Sequence, residues 1–265
     1  MPDELPAMLA ATAGAVVALM VLTWLLSLAL KDASIVDIGW GFGFVVIAWV
    51  AFAVGDGYDG RKLLVAILTS AWGLRLTGYL FWRNAGKEED YRYRAMRRRW
   101  GPRFPIISLV TVFGFQGVLM WLVSMPVQVA QLSGMPESLG VIDYAGAAVW
   151  VVGFLFEAIG DFQLARFKAD PANQGHVMDR GLWKYTRHPN YFGNALLWWG
   201  LFLIALSRPE NAVVIFAPII MTVLLTRVSG VPLLEASLRR RREGYADYIA
   251  RTSSFVPMPP KKLSL

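Results

Sequence analysis

The stretch RGLWKYTRHPNYFGN, Arg180–Asn194, gathers Lys184, Tyr185, Arg187, His188, Asn190, Tyr191 and Asn194 in an otherwise apolar chain. Arg187 and His188 precede Pro189, a residue excluded from helix interiors and favoured in the first turn, so a helix is predicted to start there. Its free N–H groups and positive dipole end, with Lys184, Arg187 and His188 beside them, make a phosphate-binding site. Asn190 and Asn194 lie four apart on one helix face and suit a carboxamide, a ribose or a catalytic water. The plainer reading is a capped helix whose polar residues meet lipid headgroups.

Four other segments pair polar groups with apolar surroundings. In FEAIGDFQLARFK, Glu157 and Asp161 share a helix face, and Arg166 and Lys168 follow. Acids beside a membrane span have a polar duty, because burying them alone is expensive. A dinucleotide needs acceptors for its ribose hydroxyls and cations for its phosphates, and this helix offers both; pairing with arginines of neighbouring helices is the alternative. In LRLTGYLFWRNAGKEEDYRYR, Arg75 sits inside an apolar span, Tyr79 is one turn on and Arg83 closes the helix. Arg92 and Arg94 then alternate with tyrosines such as Tyr93, a pattern that forks phosphate oxygens and stacks on flat rings; an interfacial aromatic belt is the alternative. In SIVDIGWGFGF, Asp37 begins the second span, where an apolar setting raises a carboxyl pKa and lets it act as a general acid. It would otherwise cap its helix or pair with Arg75. Near the C-terminus, Arg227 closes the last span, and Glu235 and Arg239 lie four apart on a helix that can fold over the same mouth.

These segments need a scaffold. The chain has 265 residues, 56% of them hydrophobic and 17% charged, with a mean hydropathy of +0.46. Soluble domains carry about 25% charged residues, so the solvent is a bilayer and the fold is all-α and polytopic. Seven spans are predicted, at about 8–30, 35–54, 62–82, 106–130, 141–165, 191–207 and 211–230, forming one membrane domain over residues 1–265. The acidic start MPDELP is unlike a cleaved signal peptide, so the first span is read as retained. Basic residues crowd 83–103, 166–187 and the tail, while the opposite loops hold only Arg61, Lys62 and Arg208. By the positive-inside rule the C-terminus is cytoplasmic and the N-terminus outside. Cysteine is absent, so there is no disulfide framework and no thiolate nucleophile. No metal site and no nucleic-acid partner is expected.

GLWKYTRHPNYFGN resembles the signature shared by membrane sterol reductases and isoprenylcysteine carboxyl methyltransferases. From VDIGWG through EDYRYRAMRRRWG to TSSFVP, residues 35 to 258, the chain is similar to the bacterial branch of the steroid 5-alpha-reductase family. That resemblance implies a seven-helix reductase of the bacterial inner membrane, with NADPH held at the cytoplasmic side. Hydride would go to the beta carbon of an enone, and an acid would protonate the carbonyl oxygen. Asn190 and Asp161 match the family's cofactor asparagine and aspartate. Glu157 stands where animal members have asparagine, and Asn194 where they have glutamate. The family's catalytic carboxylate on the second span corresponds to Asp37; its tyrosine position on the third falls on Trp72, leaving Tyr79 as the substitute donor.

The expected function is therefore NADPH-dependent reduction of a conjugated double bond in an apolar, steroid-like or lipid substrate entering from the bilayer, with membrane lipids as the other partners. A methyltransferase using S-adenosylmethionine on a lipid or prenylated substrate is the alternative; its cofactor lacks phosphate and leaves the arginines unexplained. A transporter would show inverted repeats, and none is visible.

Overall fold

Long runs of Leu, Ala, Val, Ile and Phe fold as helices in lipid, because a helix satisfies its own backbone hydrogen bonds where no water can. The computed structural model describes residues 4–228, 231, 235, 242 and 244–261. Among these residues no strand forms. The helices are α1 (Glu4–Leu30), α2 (Ile35–Val54), α3 (Asp59–Asn84), α4 (Tyr91–Trp100), α5 (Phe104–Ser108), α6 (Phe115–Val123), α7 (Met125–Ala130), α8 (Val141–Ala169), α9 (Pro189–Ala205), α10 (Phe216–Val223) and α11 (Tyr245–Arg251). Among the described residues, six helical stretches are long and apolar enough to cross a membrane: α1, α2, α3, Tyr91–Val123, α8 and Pro209–Val228. The chain is an integral membrane protein. The expected span at 191–207 corresponds to α9, whose 17 residues rise about 26 Å against a hydrocarbon core of about 30 Å. The expected span at 106–130 continues from α4 through a π-helical turn, Leu109–Gly114, and breaks at Ser124. Pro126 sits in the first turn of α7, the helical position where its missing N–H costs least. The basic stretch 83–103, read from sequence as a loop, is helical over α4.

The chain divides into two compact units, residues 1–143 with 204–217, and residues 144–203 with 218–265. In the first, α1 buries Met8, Thr12, Val16 and Met20 at four-residue spacing. It ends at Lys31, whose φ is 55°. Lys31 N–H donates to Leu28 O and Asp32 N–H to Ser27 O, the Schellman pattern that a left-handed residue permits. α2 and α3 meet backbone to backbone: a Cβ on Gly41 would lie 2.5 Å from Gly73 O, and one on Gly73 would lie 2.5 Å from Gly41 O. Beside this contact Trp72 is fully buried, edge-on to Phe44 at 5.4 Å.

Several buried polar residues of this unit are paired with one another. Thr12 donates to Gln128 Oε1 at 2.7 Å, and Gln128 Nε2 to Ser124 Oγ at 2.8 Å. Arg61, at 0% exposure, donates to Asp143 from Nε at 2.8 Å and Nη2 at 3.2 Å, and to the carbonyls of Ser133 and Ser138. Asp143 also accepts the Gly140 N–H at 2.9 Å, closing the start of α8 as a third-position acid does in a capping box.

The second unit is built on glycines seven apart: Gly146, Gly153 and Gly160 on α8, and Gly193 and Gly200 on α9. A Cβ on Gly193 would lie 2.4 Å from Gly153 O and Glu157 N, and one on Gly200 would lie 2.6 Å from Trp150 N. Partners fall in number on α9 as they rise on α8, so the two helices run antiparallel in direct backbone contact.

The Arg61–Asp143 pair generates a stability prediction. Removing one partner of a buried pair strands a charge, at a cost of about 3–5 kcal/mol. Asp143→Asn is therefore expected to lower the thermal melting point in detergent markedly, and the double variant Arg61→Met/Asp143→Leu to recover most of the loss.

Candidate functional site

The glycine contact sets what faces what in the second unit. Gly160 lets α9 start against α8, since a Cβ there would sit 3.1 Å from Asn190 N. Asn190 Nδ2 then donates to Asp161 Oδ1 at 3.1 Å, and one turn on Asn194 Nδ2 donates to Glu157 Oε2 at 3.3 Å. Glu157, Asp161 and Asn194 are all buried, Asn194 at 8% exposure. Asn194 Oδ1 is buried with no hydrogen-bond donor among the described residues. Two carboxylates and two carboxamides thus form a facing set with an acceptor to spare.

The RHPNY segment is held by neighbours on both sides. Gly181, with φ 58°, leaves no room for a Cβ beside Gln163, whose Oε1 accepts the Leu182 N–H at 3.0 Å. Trp183 Nε1 donates to Gly160 O at 3.1 Å. The C-terminal segment lies along the other side. Thr186 bridges Ser253, Arg187 N donates to Ser253 O at 2.9 Å, Thr186 Oγ1 to Phe255 O at 2.8 Å and Met258 N to Tyr185 O at 2.9 Å. The Tyr248 hydroxyl donates to Trp183 O, and burial pushes its pKa above the ordinary phenol value.

Arg187, at 8% exposure, turns inward onto protein acceptors. Its Nε donates to Glu235 Oε1 at 2.8 Å and its Nη1 to the carbonyls of Ile249 and Thr252. His188 Nε2 lies 3.2 Å from the same Glu235 oxygen, and its ring stacks on Tyr191 at 5.4 Å. Burial raises the Glu235 pKa, but the hydrogen bonds from His188 and Arg187 and the Arg187 charge outweigh it and hold the carboxyl at about 2.

In the first unit, Asp37 lies in the first turn of α2. Arg92 Nη2 donates to its Oδ2 at 2.6 Å, and the Tyr93 hydroxyl to its Oδ1 at 2.8 Å. Gln116 Nε2 lies 3.4 Å from the same Oδ1 and 3.3 Å from the Tyr93 oxygen. Asp90 caps α4 and accepts from Arg92 Nε at 2.9 Å. Asp37 thus meets Arg92 rather than Arg75, and its phenol is Tyr93, at 6% exposure. Tyr79 lies instead between Arg75 and Arg83, whose guanidinium carbons are 6.0 and 5.7 Å from its ring. Arg94 pairs with Glu88. Gln116 is absent from the sequence reading; a lone glutamine within an apolar span just after a π-helical turn is the signal that marks it.

Of the remaining expected residues, Arg166, Lys168, Tyr185 and Arg227 are exposed. Arg239 lies outside the described residues.

The family described as "Protein of unknown function (DUF1295)" matches residues 23–252. An uncharacterized protein of Schizosaccharomyces pombe, C594.04c, is 26% identical over 215 residues, 71% of this chain and 62% of that protein's length. The chain therefore spans less than two thirds of that relative. No solved structure matches.

Two outcomes follow for the clamp on the C-terminal segment. Glu235 titrates near 2 when folded, against 4.5 when exposed. Its contacts therefore stabilise fully above about pH 4.5 and lose their effect as pH falls toward 2. A melting-point series over that window should slope downward on acidification, and Glu235→Gln should flatten the slope. Arg187→Ala should expose Arg242 and Arg251 to faster trypsin cleavage.

Proposed function

The chain belongs to the DUF1295 family, and we propose that it is an NADPH-dependent membrane reductase acting on a carbon–carbon double bond conjugated to a carbonyl in an apolar, steroid-like or lipid substrate. The observation that carries this reading is the facing set Glu157, Asp161, Asn190 and Asn194 with its unpartnered buried acceptor, Asn194 Oδ1. A buried acceptor without a donor is costly, and the ribose hydroxyls and carboxamide NH2 of a nicotinamide nucleotide are donors. These four residues would hold the nucleoside. The exposed Arg166, Lys168 and Arg227 would meet its phosphates, whereas Arg187 and His188 hold the surrounding loop in place.

NADPH, when bound, supplies hydride equivalents. The chain's own part is to orient the nucleotide, exclude water and deliver a proton. For the last task the chain offers Asp37, which accepts from Arg92 and from the Tyr93 hydroxyl, and Tyr79. Trp72, buried against Phe44, serves as packing. The seven-span topology, with α9 as the short span and a cytoplasmic C-terminus, belongs to the same reading.

The test is a set of melting curves on detergent-purified protein. NADPH should raise the melting point with concentration, stabilising by about 2.7 kcal/mol at a hundredfold excess over its Kd. Asn194→Ala should weaken that shift without lowering the ligand-free melting point by as much. A shift with S-adenosylmethionine and none with NADPH would favour the methyltransferase and overturn the reading.

A further inference from the structure

In the first unit, where α1 ends near α4, a crevice of about 400 Å³ is lined by Lys31, Glu88, Glu89, Arg94, Arg97 and Arg98. Its charges do not cancel evenly. Glu89 accepts from Arg97 Nη2 at 2.8 Å and Nε at 3.1 Å, and from the Ala33 N–H at 2.8 Å. Burial raises its pKa, but these bonds bring it below the ordinary carboxylate value, so Glu89 and Arg97 neutralise each other. Arg97 Nη2 also donates to Lys31 O at 3.3 Å, which fixes this wall to the end of α1. Arg94 and Glu88 form a solvent-facing pair, and such pairs contribute little. Lys31 and Arg98 have no carboxylate partner among the described residues.

Two further observations say what would answer that charge. Lys31 occupies a left-handed position, φ 55°, that glycine would fill with less strain; the lysine sets a cation at the rim of the crevice. Leu22, Leu26 and Leu30 are exposed at four-residue spacing and form an apolar stripe that stops one residue before it. Trp24 Nε1 donates to Pro105 O at 2.9 Å, fastening this end of α1 to α5. Trp100, with Arg99 5.4 Å from its ring, adds an aromatic of the kind found at the level of lipid headgroups.

We propose that this crevice binds an anionic phospholipid, its phosphate held by Lys31 and Arg98 and an acyl chain laid along Leu22, Leu26 and Leu30. The juxtaposition of unneutralised cations with a lipid-facing leucine stripe distinguishes this ligand from free phosphate, which would use the cations alone.

The test uses the full chain, delipidated in detergent, with phosphatidylglycerol, phosphatidylcholine or inorganic phosphate as probe, read by native mass spectrometry and melting point. Phosphatidylglycerol should remain bound and raise the melting point more than phosphatidylcholine does. Arg98→Ala and Lys31→Asn, the latter suited to a left-handed position, should each weaken phosphatidylglycerol binding about fivefold, and together roughly thirtyfold. Glu88→Gln should strengthen it, a gain that misfolding cannot mimic. Equal retention of the two lipids, an unchanged affinity in all three variants, or inorganic phosphate reproducing the effect would overturn the proposal.

Discussion

Direct backbone contact between helices, made possible by glycine, is the constraint on which the rest depends. In lipid the hydrophobic effect does not drive one apolar helix onto another, so association rests on close packing and hydrogen bonds. The heptad-spaced glycines of α8 and α9 let carbonyl and amide groups of the two helices approach within van der Waals reach. A contact that tight fixes the register. It is the reason Asn190 meets Asp161 and Asn194 meets Glu157. A slip of one residue would rotate a side chain by about 100° around its helix and separate both pairs.

Within that frame, several charged groups are handled in pairs. Arg61 with Asp143 and Arg187 with Glu235 each satisfy a charge away from water, and half-exposed Arg92 pairs with Asp37, which also accepts from Tyr93. The carboxamide–carboxylate set of the second unit brings two such pairs together and holds a buried acceptor, Asn194 Oδ1, with no donor among the described residues. The proposed nucleotide site rests on that grouping of two carboxylates and two carboxamides.

The RHPNY segment joins both kinds of chemistry. Its asparagines face α8, while its arginine and histidine are committed to Glu235 and, for the arginine, to carbonyls of the C-terminal segment. A motif that looks uniformly like a ligand site is half anchor. The anchor gives the C-terminal segment a function: it sets the position of the loop from which α9 springs.

The sequence alone determined most of the long apolar helices and which residues share a face. Pro189 had to open a helix, apolar runs had to span, and residues four apart, such as Glu157 and Asp161, had to share a side, because helical periodicity is local. Partnership was decided only by the tertiary structure. Nothing local distinguishes Arg75 from Arg92 as the mate of Asp37, Tyr79 from Tyr93 as its phenol, or Glu235 from any other carboxylate as the partner of Arg187. Those choices join residues 55, 56 and 48 positions apart. Periodicity fixes the direction in which a side chain points, and only the packing of one helix on another fixes what it finds there.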